Sequence, residues 1–451
     1  MSVRRWGAIA LVALPVAAHA TNGMNMEAFG ARAGGLGGAA MAYDSGNSAV
    51  MNNPATLALR QDGAVFGMGI TRLGPDVASH VDAMGMTAQS GGTAYWMPSL
   101  SYIRTDRGWS YGVAILAQGG MGTEYAANSF LSLSGLPVRS EVGFARAMFP
   151  LAKKVTDQLA LAAQVDFVWA GLDMQMDMSA AQMAAGMNAG QLRASGSMAG
   201  MLGTMPANGF ARFDLSDGND FKQQTRGHGW AYKLGVHYQI TPQWAIGAAF
   251  HSKTRLKDFS GNGTLGMGAV PPGVMQGALV MALPGHYTIQ NFEWPTTWAV
   301  GVSYQPNERW MFVSDVKRLK WSETMDVFRV RFASARGDLN VEMDQKWDDQ
   351  TVYMVGVEYR PRPGLALRFG YNYGKNPISA RYLNPLFPAT AERHYTVGLG
   401  VQVSKQDSVA AALAIAPQVT QTVPGVPTMG IPDVRITHSQ FTVRLNWNHR
   451  F

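Results

Sequence analysis

The chain has no cysteine among its 451 residues, which excludes a disulfide framework, a thiolate metal site and thiol chemistry together. Charge is also scarce. Asp, Glu, Lys and Arg make up 15%, against about 25% in ordinary soluble domains. The formal charge of +7 is carried by both signs spread along the chain, which is no nucleic-acid footprint. Long apolar runs are missing too. After Ala20 the best stretch, Leu159 to Leu172, is broken by Gln164 and Asp166, so transmembrane helices of about 20 apolar residues are excluded. The nine histidines lack the spacing of a metal site, and no cofactor motif stands in its required context.

What is present begins with a leader. Arg4 and Arg5 precede an apolar run from Trp6 to about Ala18, followed by Ala18-His19-Ala20. This order of charged, apolar and small residues predicts a signal peptide over residues 1–20. Residues 21–61 are dense in Gly, Ala and Met, with no sustained period of 2 or 3.6. Such a segment buries too little apolar surface to fold alone, yet it lacks the charge of a solvated tail. It needs walls supplied by the rest of the chain.

The remainder, 62–451, supplies them. Phe441, Val443, Leu445 and Trp447 alternate with Thr442, Arg444, Asn446 and Asn448. Tyr395, Val397, Leu399 and Val401 alternate with Thr396, Gly398, Gly400 and Gln402. Segments of about ten residues with one apolar face and one small or polar face suit strands in lipid. There every backbone group must be paired, so the sheet must close. Fourteen such segments can be placed between 62–72 and 436–450, and their connections alternate in length. Short polar turns such as Thr105 to Gly108 and Pro361 to Gly364 face the periplasm, and long loops, the largest near 173–225 and 257–294, face outward. The expectation is an all-β membrane protein: a 14-stranded antiparallel transmembrane β-barrel, with residues 21–61 as an N-terminal hatch in its lumen.

With these features in place, the sequence resembles the FadL family of outer-membrane transporters for hydrophobic compounds. The resemblance rests on Gly35 to Ala58, including Asn53-Pro54-Ala55, on Gln118-Gly119-Gly120-Met121-Gly122-Thr123-Glu124-Tyr125, and on the terminal Phe451. It implies the outer membrane of a Gram-negative bacterium, contact with its lipids, and assembly by the barrel machinery through the last strand. It also implies capture of a long-chain fatty acid or other hydrophobic small molecule at extracellular loops, a lumenal pocket, and sideways exit where strand three kinks at Gly120. Asn53, Pro54 and Ala55 then abut that kink beside Gln118 and Gly119, and Met24, Met26 and Phe29 line the pocket or contact the wall. Met183 and Met187, four residues apart in a Met-rich loop, offer either an adaptable capture surface or plain helix packing.

One departure concerns the ligand. Where fatty-acid members present a basic side chain, this chain has Trp169-Ala170-Gly171-Leu172-Asp173, which makes uptake of an aromatic hydrocarbon the alternative. Two other classes compete. A general porin would need an open lumen. A lipase could use Gly108-Trp109-Ser110-Tyr111-Gly112, but a nucleophile elbow requires a strand-to-helix turn, and Ser110 sits inside an alternating stretch. No catalytic residue is expected.

Overall fold

A computed structural model describes residues 22–216 and 223–451; the expected leader, 1–20, lies outside the described residues. In chain order the strands are β1 (Gly63–Val81), β2 (Met86–Gln89), β3 (Tyr95–Asp106), β4 (Trp109–Tyr125), β5 (Val138–Lys154), β6 (Leu159–Ser179), β7 (Leu192–Ser195) and β8 (Gly209–Leu215). They continue with β9 (Thr225–Gln239), β10 (Trp244–His251), β11 (Arg255–Leu256), β12 (Phe259–Ala269), β13 (Ala278–Gln290), β14 (Thr297–Asn307) and β15 (Trp310–Leu319). The last are β16 (Val327–Ser334), β17 (Gly337–Asp344), β18 (Gln350–Arg362), β19 (Leu365–Gly374), β20 (Arg393–Gln402), β21 (Asp407–Val423) and β22 (Val434–Arg450).

The sheet closes on itself. Antiparallel ladders lead from β1 through β3, β4, β5, β6 and β9 to β10, then through β14, β15, β18, β19, β20 and β21 to β22. β22 pairs back onto β1 from Val65↔Arg450 to His80↔Arg435. No described helix is long and apolar enough to cross a membrane.

The fourteen segments read from alternation are not the full set, for the described chain carries twenty-two strands. The long connections fold into strands of their own. β8 pairs with the far end of β6, then β8, β12, β13, β16, β17 and β7 pair in succession. β12–β13 and β16–β17 are hairpins, whereas β8, β7 and the β13–β16 pairing join segments far apart in sequence, where local pattern gives little signal.

Exposure inverts the rule for soluble proteins. Tyr395, Val397 and Leu399 are 53%, 45% and 42% exposed, while their neighbours His394 and Thr396 are buried. An apolar outer face is what hydrocarbon requires. Beside the short turns, Trp244 stacks on Tyr304 at 4.3 Å and Trp310 lies 4.5 Å from Tyr359, where aromatic rings suit the membrane interface.

Residues 22–60 pack inside the ring. Two strand glycines show why the inner face carries such small residues: Gly398 lies against Gly35, and Gly356 against Leu36, so closely that a β-carbon on Gly35 or Gly356 would meet the opposing backbone at 2.8 and 2.7 Å. Polar anchors hold the segment around the circumference. Glu27 pairs with Arg444 on β22 at 2.6 Å and Arg32 with Glu358 on β18 at 3.0 Å. Asp315 on β15 accepts from the backbone N–H groups of Ala40 and Met41 at 2.6 and 3.0 Å. Lys233 on β9 donates to the carbonyls of Val50 and Met51 at 2.8 and 2.7 Å. Charges removed from water must be paired, and here their partners are divided between the segment and the wall.

A break in the barrel wall

The β3–β4 ladder runs from Asp106↔Trp109 to Ser99↔Leu116, while β3 extends back to Tyr95 and β4 on to Tyr125. Beyond Leu116 the strands diverge. At the same level the β4–β5 register shifts between Ala117↔Ala145 and Gly119↔Phe144, leaving Gln118 as an extra residue. One inserted residue is a β-bulge, which bends its strand. The Gln118 side chain accepts from Arg146, whose guanidinium also pairs with Asp166 at 3.2 Å. All three are buried, so the bulge is pinned toward the interior.

The N-terminal segment meets this bulge by its backbone. Asn25 bridges to Gly119, and the Gly120 N–H donates to the Met24 carbonyl at 3.2 Å. Any side chain at Gly119 would collide with that carbonyl.

A cavity of about 730 Å³ occupies the divergence. Its walls include Trp96 and Met97 of β3, Gly119 to Gly122 of β4, and Phe144, Trp169 and His438. Trp96 is 60% exposed on the outer face and His438 only 5% exposed within, so the lining spans the wall from lipid side to lumen. Behind it stands a ladder of aromatic rings: Phe144 lies 4.8 Å from Trp294, Trp294 5.5 Å from Trp321, and Trp321 5.4 Å from Trp347.

The residues singled out from the sequence divide among three places. Gln118, Gly119 and Gly120 form the bulge, with Met24 against them. Met24 joins the large apolar cluster containing Trp294 and Trp321, whereas Met26 and Phe29 join a separate cluster with Val50, Leu57, Leu116 and Met148. Asn53-Pro54-Ala55 does not sit where the resemblance implied. Asn53 caps the short helix Pro54–Leu59, accepting from the Ala55 N–H at 3.1 Å, and donates to the carbonyls of Met41 and Val236 at 2.8 Å each. That turn packs on Gly235 of β9; the bulge is met by Met24 and Asn25. Met183 is buried in helix Ala180–Asn188, whose N-terminus Ser179 and Gln182 cap reciprocally, and Met187 packs partly buried beside the same cluster.

Ser110 is buried, its hydroxyl 2.8 Å from that of Thr105 and donating to the Leu57 carbonyl at 3.0 Å, with none of the geometry of a nucleophile elbow. Trp294, Trp321 and Trp347 escaped notice because each lies outside the alternating strands, where no periodicity marks it.

Proteins of known structure share this architecture. Residues 9–430 match the family model described as "Outer membrane protein transport protein (OMPP1/FadL/TodX)". Among solved structures, the Pseudomonas putida toluene transporter TodX is 30% identical, with 96% of this chain and 100% of that one covered and a TM-score of 0.82. The Ralstonia pickettii toluene transporter TbuX is 28% identical over 95% and 99% of the two chains, with a TM-score of 0.76. A Pseudomonas aeruginosa FadL homologue, 16% identical over 95% and 100%, shares the fold with a TM-score of 0.71. One curated relative, an uncharacterised protein of Chlorobium limicola, is 44% identical over 116 residues, and the match covers 25% of this chain and 55% of that relative's length. A closed antiparallel barrel with an apolar outer face, matched along nearly its whole length, places the chain in the outer membrane of a Gram-negative bacterium. The chain belongs to the OMPP1/FadL/TodX family of outer-membrane transport proteins for hydrophobic compounds.

Proposed function

We propose that the chain carries small hydrophobic molecules inward across the outer membrane, without energy input, and releases them sideways into the bilayer through the break between β3 and β4. Residues 22–60 act as a fixed hatch that closes the axial route. The observation that carries this reading is the cavity at the Gln118 bulge, whose lining runs from outer wall to lumen just where the hatch backbone touches β4. An apolar solute gains roughly 25 cal/mol for each Å² it keeps from water. Lateral release therefore lies downhill, and a watery exit to the periplasm does not.

Compact aromatic hydrocarbons fit best as ligands. The ladder from Phe144 to Trp347 offers ring faces and edges along the interior, and the two transporters at 28% and 30% identity are named for toluene. Long-chain fatty acids form the second reading, favoured by Arg226 at the cavity margin, which could meet a carboxylate. Uptake of radiolabelled toluene and oleate by transporter-deficient cells expressing the protein separates the two. Faster entry of toluene alone supports the first reading, and faster entry of oleate alone supports the second. Equal flux of small sugars through proteoliposomes would contradict both in favour of an open porin.

A further inference from the structure

Arg72 is a charge on the apolar side of its strand. Ile70 and Met68, two and four residues earlier on β1, are exposed on the outer face, and strand alternation puts Arg72 there with them. Its guanidinium lies 4.6 Å from the centre of the Phe441 ring and 6.0 Å from that of Trp96, the residue opposite it on the β1–β3 ladder. Gly74 makes the room. It pairs with Phe441, and a β-carbon there would meet that ring at 2.7 Å and Arg72 Nη1 at 3.0 Å. The side chain therefore runs along β1 past Gly74, towards the end of the barrel that carries the long connections.

Among the described residues Arg72 makes these ring contacts but no ion pair and no hydrogen bond, and it is only half-buried. Asp76, the next acid along that face, already accepts from Gln89 at 2.6 Å. A lipid-facing charge is costly unless it reaches the headgroup layer and finds a counter-charge there. The anion of that layer is phosphate, which a guanidinium fork matches with two parallel hydrogen bonds. Aromatic faces on two sides hold the fork in place.

We infer that Arg72 binds the phosphate of an outer-leaflet lipid. Trp96, beneath the guanidinium, also lines the cavity at the bulge, as do Leu73 and Pro75 on either side of Gly74. The bound lipid thus stands at the outer mouth of the break, where its acyl chains meet a solute leaving sideways. That last role rests on the lateral route proposed above, whereas the binding does not.

Native mass spectrometry of the detergent-purified protein tests the binding. The probes are bis-phosphorylated lipid A, the same glycolipid stripped of phosphate, and inorganic phosphate. Heat-modifiable mobility checks that each variant is an intact barrel. Wild type should hold the phosphorylated lipid roughly tenfold more tightly than Arg72→Gln does, and the stripped lipid should bind both proteins alike. Arg72→Lys, which keeps the charge without the fork, should retain part of the difference. Equal retention by wild type and Arg72→Gln, or equal affinity of wild type for the two glycolipids, would overturn the inference. Displacement of the lipid by millimolar inorganic phosphate would overturn the lipid as the source of the anion. Failure of wild type to take up toluene would count against the lateral route alone.

Discussion

Met24 and Gly120 are joined by a 3.2 Å backbone hydrogen bond from the Gly120 N–H to the Met24 carbonyl, so the start of the N-terminal segment is tied to the strand that bends away from its neighbour. Segment and break are one unit. Changes in the segment should be felt at the cavity, and changes at the bulge should disturb the segment.

Gly119→Val tests that unit from the strand side. A β-carbon at Gly119 would collide with the Met24 carbonyl and touch Trp294, breaking the Asn25 bridge. Toluene uptake should fall roughly tenfold, equivalent to a barrier raised by about 1.4 kcal/mol. Gly200→Ala, with open space around the added atom, should leave uptake unchanged. Equal uptake by both variants would show that the contact has no part in transport.

Glu27 gives a dependence on pH. Burial would raise its carboxyl, but the Arg444 guanidinium beside it outweighs burial and holds it below the usual carboxylate range. A depressed value in the folded state stabilises above the unfolded value of about 4.3 and loses that contribution as pH falls through the folded one. Protection factors for hydrogen exchange across residues 22–60, taken against the intrinsic rate at each pH, should therefore be high at neutral pH and fall in acid. Glu27→Gln leaves Arg444 buried without its counter-charge, at a cost of about 3–5 kcal/mol, and should show the low protection already at pH 7. Indifference of the segment to this substitution would mean that the pair does not hold it.

A disulfide can decide whether the segment leaves the barrel during transport. The natural chain has no cysteine to interfere, and a β-carbon on Gly34 would lie 3.2 Å from that of Ala412 on β21, close to disulfide spacing. In the double variant Gly34→Cys, Ala412→Cys, uptake should be the same oxidised and reduced. Loss on oxidation with recovery on reduction would indicate a hatch that must move.

Much of the architecture could be read from the chain, for a physical reason. In lipid the apolar face of a strand points outward and the small or polar face inward, so Tyr395 to Val401 and Phe441 to Trp447 announce themselves without knowledge of their partners. The strands above the ring could not be read this way, since β8 and β7 owe their pairing to chain far away. A kink at Gly120, beside Gln118 and Gly119, was implied by the family resemblance and not by the residues alone. The break could not be read from the residues either, because it depends on where the β3–β4 ladder stops. The placement of Asn53-Pro54-Ala55 at Gly120 failed for a similar reason: an irregular segment carries no period from which its docking could be worked out. His438 was hidden as one polar residue on a polar strand face.

Deletion of Gln118 tests the central claim most directly. Because Gln118 is the single unpaired residue between Ala117↔Ala145 and Gly119↔Phe144, removing it restores a continuous β4–β5 register without turning later side chains to the opposite face. β4 should then straighten toward β3 and close the break. Toluene uptake should fall to the level of cells lacking the protein, with the barrel still assembled, while Gln118→Ala, which keeps the bulge, should retain uptake. Undiminished uptake through the straightened barrel would contradict lateral exit.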